Sequence, residues 1–165
     1  MVKKVKFIVD CMLGKLTRWL RMLGYDVKYS RSLGDNQLIK TAKMEHRTLL
    51  TRDIKLYKQA LMQGINTFFI EGETGVEKLA NLAKQSNITV EIDVAVSRCP
   101  KCNTRIRPIP KDRVINKVPR GTLVHSDKFW KCPNCKQIYW HGAHWKQITE
   151  TLKHAKQIVE HQGKK

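Results

Sequence analysis

The sequence lacks any apolar run long enough to cross a membrane. A transmembrane helix needs about 20 consecutive, mostly apolar residues, whereas the longest apolar stretches here, around Leu49–Leu50 and over residues 65–70, are much shorter. The first ten residues, MVKKVKFIVD, lead directly into a strand pattern without the apolar segment of a signal peptide. We therefore expect a soluble, cytoplasmic protein that has no membrane partner.

Acidic residues are also scarce. The 165 residues include 14 Asp and Glu against 32 Lys and Arg, a formal net charge of +18. The excess is larger in residues 97–165, with 16 basic and 4 acidic residues (net +12), than in residues 1–96, with 16 and 10 (net +6). A positive charge of this size favours a polyanionic partner, and above all a nucleic acid, because each phosphate contact releases counterions.

Strand and helix patterns alternate along the first half of the chain. The patterns predict strands over residues 5–10, 25–30, 47–53 and 65–72, and helices over 12–24, 35–46, about 54–62 and about 76–86. This alternation indicates an α/β fold with a parallel sheet flanked by helices. The pattern breaks near residues 87–98, so we expect one unit over 1–93 and a second over 94–165, which ends in a helix and a frayed basic tail.

Four of the five cysteines form two C-x-x-C pairs, CPKC at 99–102 and CPNC at 132–135, separated by 29 residues. This spacing is typical of a structural zinc site with four thiolate ligands, here Cys99, Cys102, Cys132 and Cys135. The alternatives are two disulfides, which a cytosolic setting disfavours, and a redox pair, which is expected once and after a strand. The fifth cysteine, Cys11, is expected to be a small buried residue.

Three aspartates stand at the ends of predicted elements. Asp10 closes the first strand, Asp35 opens the helix before the third strand, and Asp53 ends the third strand. If the first and third strands are neighbours, these acids meet at the carboxyl edge of the sheet, where a hard cation such as Mg²⁺ or Mn²⁺ would offset their repulsion. Such a site activates water for attack on a phosphodiester. The alternative is that each aspartate only caps a helix or forms a turn.

The same segments carry a family resemblance. FIVDCMLGKLTRWLRMLGYDV, GDNQLIKTAKMEHRTLLTRD and CPKC…CPNC followed by IYWHGAHW resemble the Mut-seven C-terminal ribonuclease domain family, a PIN-like domain fused to a zinc ribbon, from about residue 5 to about 150. The resemblance implies a PIN-type fold, a metal-dependent ribonuclease and a possible homodimer. It matches Asp10, Asp35 and Asp53 to the metal-binding acids of PIN nucleases. PIN nucleases usually carry a further acid, for which Glu45 and Glu71 are candidates here.

Basic and aromatic residues complete the expected site. We assign Lys15, Arg18, Thr51 and Arg52 to substrate binding, and Thr51 would also orient a carboxylate or a metal-bound water. Arg21 lies on the same predicted helix, and its alternatives are phosphate contact and a solvated helix face. On the ribbon, Trp140 and Trp145 are expected to pack rather than to stack on bases, and His141 and His144 to pack or contact phosphate.

The leading hypothesis is a metal-dependent endonuclease that acts on structured RNA, with zinc as a structural ion and Mg²⁺ or Mn²⁺ as the catalytic one. The main alternative is a non-catalytic RNA-binding protein that keeps a PIN-like fold and associates with ribosomal RNA or the ribosome. A DNA-binding zinc-ribbon regulator is a third hypothesis. Competition between RNA and DNA distinguishes it, because recognition through the 2′-OH disfavours DNA.

Overall fold

The computed structural model describes residues 5–162 of the chain, so the predicted basic tail at 163–165 lies outside the described residues. The first part consists of β1 (Lys6–Val9), a short 3₁₀ turn (Cys11–Leu13), α1 (Gly14–Met22), β2 (Asp26–Tyr29), α2 (Asp35–Glu45), β3 (Thr48–Thr51), α3 (Ile54–Met62), β4 (Thr67–Phe69) and α4 (Gly75–Gln85). The second part consists of β5 (Arg107–Ile109), a 3₁₀ turn (Lys111–Val114), α5 (Arg120–His125), β6 (Phe129–Lys131), β7 (Ile138–Trp140) and α6 (Ala143–Gln162). The expected α/β fold is confirmed.

The first sheet is parallel and has the strand order β2-β1-β3-β4. Side chains alternate between the two faces of a strand, so Phe7 and Val9 pack with α1, α4 and α6, whereas Ile8 and Leu49 pack with α2 and α3. Both faces are therefore covered by helices, which explains why the β3 segment TLLT is entirely buried.

The second sheet is antiparallel, in the order β5-β6-β7. It has a small core of its own, formed by Val114, Val118, Phe129 and Ile138. The C-terminal helix α6 lies away from this core, and it places Leu152 and Ala155 in the core of the first sheet. The chain thus returns to the parallel sheet after the ribbon, while the boundary at residues 93–94 stays a prediction. None of the helices within residues 5–162 is long and apolar enough to span a membrane.

Candidate active site and metal centre

Asp10 and Asp53 follow two neighbouring strands at the same edge of the parallel sheet. Strand β1 pairs with β3 in the register Val9↔Leu50, and the amide of Asp10 donates a 3.0 Å hydrogen bond to the Leu50 carbonyl. The prediction that the first and third strands are neighbours is therefore confirmed. Along the chain, β1 is followed by β2 on one side of it in the sheet and then by β3 on its other side. Ligands of open α/β sheets bind at such a switch point, where the strand order reverses.

A buried threonine connects the ends of these two strands. The Thr51 side chain is fully buried, and its hydroxyl donates a 2.9 Å hydrogen bond to Oδ2 of Asp10. The same hydroxyl accepts a 2.9 Å hydrogen bond from the backbone amide of Asp53. Asp10 is only 7% exposed, so this contact fixes the orientation of a largely buried carboxylate. The arrangement suits a positioning role for Thr51.

Asp53 also caps the following helix. Its Oδ1 accepts hydrogen bonds from the amides of Lys55 (2.7 Å) and Leu56 (3.1 Å), at the start of α3. These bonds explain locally why β3 stops on an aspartate. Both of them end on Oδ1, so the cap does not use Oδ2. The cap and a metal-binding role are therefore compatible in one side chain.

Asp35 is exposed at the first position of α2. Its negative charge acts on Cys11, which follows Asp10. A hydrogen bond to Asp10 is the main cause of the raised pKa of the Cys11 thiol, and the charge of Asp35 raises that pKa further. Cys11 itself is exposed, so the expectation that it is buried is wrong. The turn after β1 therefore exposes Cys11 while it buries Leu13.

Three carboxylates supply the oxygen donors that Mg²⁺ and Mn²⁺ require. The aspartate oxygens are nevertheless less tightly grouped than the cysteine sulfurs. Within residues 5–162, the four cysteines form the one group of three or more potential metal ligands whose ligand atoms all lie within 4.8 Å of one another.

The candidates for a fourth acid lie at opposite edges of the sheet. Glu45 is at the last position of α2, close to the amino end of β3, where it forms ion pairs with Lys28 and Arg47. Glu45 therefore lies at the edge away from Asp10, and its proposed part in the site is wrong. Glu71 follows β4 at the correct edge and is exposed.

The predicted substrate-binding cations have different surroundings. Lys15 and Arg18 are exposed on α1, about one turn apart. Arg52 donates a hydrogen bond to the Gly72 carbonyl and lies 3.5 Å from a Glu73 carboxylate oxygen. It thereby joins the end of β3 to the loop before α4.

Arg21 has a structural role that the sequence pattern did not indicate. It is only 7% exposed, so the alternative of a solvated helix face is wrong. Its Nε and Nη2 donate to the Val27 carbonyl (3.2 and 2.9 Å), and its Nη1 donates to the carbonyls of Pro100 (2.9 Å) and Lys101 (3.2 Å) in the first cysteine pair. One guanidinium group therefore binds α1, the edge strand β2 and the ribbon together.

Asn103 strengthens this attachment from the ribbon. Its Oδ1 accepts a 3.0 Å hydrogen bond from the amide of Val27, and its Nδ2 donates a 2.9 Å hydrogen bond to Asp26. The residue adopts a positive φ of 70°, a conformation that asparagine tolerates better than most residues. The first cysteine pair thus covers the outer edge of β2, which would otherwise present unpaired backbone groups.

The sulfur atoms of the four paired cysteines lie close together in the ribbon. Cys99 Sγ lies 3.5 Å from Cys135 Sγ, and Cys102 Sγ lies 3.3 Å from Cys132 Sγ. These distances are too long for disulfides, whose S–S bonds are about 2.05 Å. Sulfurs bound tetrahedrally at about 2.3 Å from a zinc ion would lie about 3.8 Å apart, a spacing between the closest contacts and the 4.8 Å limit of the cluster. The cluster can therefore hold a structural metal such as zinc.

Neighbouring groups stabilise negative charge on Cys102, whereas burial raises the pKa of the Cys99 and Cys132 thiols. Tyr139 Oη lies 3.0 Å from Cys99 Sγ, where the phenol can donate to a thiolate. Burial alone would raise the pKa of Cys102, but hydrogen bonds with Thr104 and with nearby side chains and amides lower it to about 5. A thiolate is the form that binds a metal.

The aromatic residues of the ribbon mostly contact one another. The His141 ring is stacked on Trp145, with 3.8 Å between ring centroids, and lies 4.9 Å from the ring of Trp130. Trp140 is partly buried against the ribbon core. The expectation that Trp140 and Trp145 pack within the protein agrees with these contacts.

Comparison with known proteins identifies a family. The family model described as Mut7-C RNAse domain matches residues 5–152, which includes the parallel sheet, the three aspartates and all four paired cysteines. No curated protein and no solved structure matches the chain. An RNAse domain supports a nuclease activity with RNA as the substrate. Because the match covers most of the sequence, the chain belongs to the Mut7-C RNAse domain family.

Proposed function

We propose that this protein is a divalent-metal-dependent endoribonuclease that acts on structured RNA. Asp10, Asp35 and Asp53 would hold Mg²⁺ or Mn²⁺ at the carboxyl edge of the parallel sheet. When bound, the cation supplies a polarised water and shields negative charge on the phosphodiester. The contact that carries the proposal is the hydrogen bond from Thr51 to Asp10, because it prepares two strand ends at the switch point of the sheet.

Each aspartate has a distinct local support for this role. Asp10 is oriented by the buried Thr51 hydroxyl, and Asp53 is oriented by the first amides of α3. Asp35 lies at the first position of α2, so its position is set by a helix start rather than by the end of a strand. Carboxylates repel one another until a cation neutralises them, so a bound cation would draw the three side chains closer together.

The basic surface would hold the RNA. Lys15 and Arg18 lie on α1 and share a cleft with Cys11, the residue after Asp10, where they would contact phosphates near the reacting one. The ribbon half carries the larger charge excess, and its basic residues between the cysteine pairs are mostly exposed. We therefore extend the proposal to a ribbon that holds the folded part of the RNA. A ribosomal RNA, a ribosome and a homodimeric state are further parts of this proposal.

The decisive experiment is cleavage of a labelled structured RNA with and without added Mn²⁺. The wild-type chain is compared with Asp53→Asn, which keeps a good N-cap residue and removes a negative charge. Asp112→Asn is the control, because Asp112 is exposed on the ribbon. We omit the metal rather than add a chelator, since a chelator would also attack the cysteine cluster.

We expect wild type and Asp112→Asn to cut only with Mn²⁺, and Asp53→Asn to be at least about 100-fold slower, since loss of even an indirect partner of a metal site costs about 10–100-fold. If the wild type binds RNA without cutting it, the protein is a non-catalytic RNA-binding factor instead. If it binds DNA of the same sequence equally well, the proposed preference for RNA is wrong.

A further inference from the structure

A basic cleft with a volume of about 620 Å³ opens at the turn after β1, and its lining begins at Cys11, the residue that follows Asp10. Residues 11–16 form one side of it, at the start of α1. Four cationic side chains line it: Lys15, Arg18, Arg31 and Lys78. Among the described residues that line the cleft, none is acidic, so the cleft is strongly positive.

The four cations come from three separate parts of the fold. Lys15 and Arg18 lie on α1, Arg31 lies in the turn after β2, and Lys78 lies on α4. A solvated helix face would explain Lys15 and Arg18 alone, but it does not explain the convergence of Arg31 and Lys78 on the same cleft. Within residues 5–162, none of the four forms an ion pair with a carboxylate.

A tyrosine packed on a glycine forms the wall between α1 and β2. A Cβ atom at Gly14 would lie 2.9 Å from Tyr29 Oη, so a larger residue here would displace the tyrosine hydroxyl. The Tyr29 hydroxyl donates a 3.0 Å hydrogen bond to the Cys11 carbonyl, which fixes the ring against the turn after β1. The cleft therefore has a built wall, and its cations surround a defined space.

From this geometry we infer that the cleft binds the terminal phosphate of an RNA strand. A phosphate monoester carries a charge of about −1.5 to −2 at neutral pH, whereas a phosphodiester inside a strand carries a single charge. The Lys78 ammonium donates a 3.2 Å hydrogen bond to the Glu73 carbonyl, but none of the four cations is in an ion pair within residues 5–162. Four such cations around one cleft suit the more highly charged group, and an arginine can bind it with two parallel hydrogen bonds. The volume lies in the range of about 300–1,000 Å³ that encloses a small ligand, which suits one terminal nucleotide.

The inference rests on the proposed function and makes it more specific. Because the cleft begins at Cys11, the residue after Asp10, a strand whose end is held there would pass the aspartates within a short distance of that end. The protein would then select RNA that carries a terminal phosphate, and it would cut at a set distance from the end.

The test is binding of one short labelled RNA in three forms: with a 5′-phosphate, with a 3′-phosphate, and with hydroxyl groups at both ends. Mg²⁺ and Mn²⁺ are omitted so that the probe stays intact. The wild-type chain is compared with the double variant Arg31→Gln/Lys78→Gln. The control Lys40→Gln/Lys43→Gln loses the same charge from exposed positions on α2, outside the cleft.

We expect the wild type to bind either the 5′-phosphorylated or the 3′-phosphorylated RNA with a Kd about tenfold lower than the Kd for the hydroxyl form. The control should keep this ratio and the cleft variant should lose it. Arg31→Gln alone should lower the ratio as well, and its exposed position in a turn makes misfolding a poor explanation for that loss.

Three results would overturn the inference: equal binding of all three RNAs, an unchanged ratio in the cleft variant, or equally tight competition by a mononucleotide monophosphate. The last result would assign the cleft to a free nucleotide. Cleavage with Mn²⁺ is measured separately on the hydroxyl form. If the protein cuts this RNA but binds all three forms equally well, only this inference is wrong. If it prefers an RNA with a terminal phosphate but does not cut, the proposed nuclease activity is wrong.

Discussion

The hydroxyl of Thr51 donates a 2.9 Å hydrogen bond to the carboxylate of Asp10, across the boundary between β3 and β1. Since the hydroxyl also accepts the amide hydrogen of Asp53, one fully buried side chain sets the position of two strand ends. Preorganisation of this kind matters for a metal site, because ligands that are already in place need little rearrangement. Thr51 is thus the residue through which the two halves of the site can be tested together.

Replacing Thr51 by valine keeps the shape of the side chain and removes both hydrogen bonds of the hydroxyl. We expect Thr51→Val to lower Mn²⁺-dependent RNA cleavage by about 10–100-fold, as is typical when a residue that orients a metal ligand is lost. The Mn²⁺ concentration for half-maximal rate should rise, because Asp10 loses its orienting partner.

Thr51→Ser is the matched control, since it keeps the hydroxyl and loses only a methyl group. Cleavage by this variant should stay close to that of the wild type. A Thr51→Val chain that cuts RNA at the wild-type rate and with the same Mn²⁺ dependence would show that the hydroxyl has no part in the site.

The sequence was sufficient to predict the parallel sheet and the edge where the aspartates lie. Buried parallel strands are short apolar runs, and Leu13, Leu16, Leu20 and Leu23 on the first helix and Leu38, Ile39 and Ala42 on the second are buried as their spacing predicted. The placement of Asp10 and Asp53 followed from strand polarity alone, once β1 and β3 were taken as neighbours.

Contacts between distant segments were not predictable in the same way. Arg21 has the helical position of a surface residue, and only the docked ribbon supplies the carbonyls that bury it. Glu45 looked like a possible ligand because sequence distance does not show which edge of the sheet an acid faces. Helix periodicity describes one element at a time, so it cannot identify a partner that is 79 residues away.

Arg21 offers a test of the attachment between the ribbon and the parallel sheet. We expect Arg21→Gln to lower the free energy of unfolding by about 2–4 kcal/mol, because it leaves buried carbonyls of Val27 and the first cysteine pair without a charged donor. Arg21→Lys should recover little of this, since an ammonium cannot bridge three carbonyls as a planar guanidinium does. Urea unfolding measures the free energy of unfolding of both variants. Arg18→Gln, on the exposed side of the same helix, should change stability by less than about 0.5 kcal/mol.

Asp26 gives a prediction about pH. Burial by itself would raise its pKa, but hydrogen bonds from Arg47 and Asn103 outweigh burial and lower the pKa below its ordinary value. The folded state therefore favours the charged carboxylate, and the stabilisation is complete above the unfolded pKa of about 3.9. It is lost as the pH falls through the lower, folded pKa.

The measurement is the difference in unfolding free energy between the wild type and Asp26→Asn. At pH 7 we expect the wild type to be more stable by about 1–3 kcal/mol, the cost of leaving a buried charged partner unpaired. The difference should narrow once the pH falls below about 4. A gap of the same size at pH 7 and pH 3 contradicts the assignment. Asp112→Asn, at an exposed position, should show no such trend.

Zinc removal should separate the two parts of the molecule. Zinc binding supplies the folding free energy of small zinc modules, about 10–16 kcal/mol for structural sites, so we expect Cys132→Ser to purify without zinc and with an unfolded ribbon. Loss of the ribbon would uncover β2, because the first cysteine pair and Arg21 hold that strand's outer edge. The parallel sheet of this variant should then melt at a lower temperature than that of the wild type. Cys11→Ser should keep about one zinc ion per chain, because Cys11 lies outside the cluster.

Metal analysis measures the zinc content of each chain, and thermal unfolding measures its melting temperature. If the wild type contains no zinc and Cys132→Ser melts in the same single transition as the wild type, the cysteines serve some other purpose.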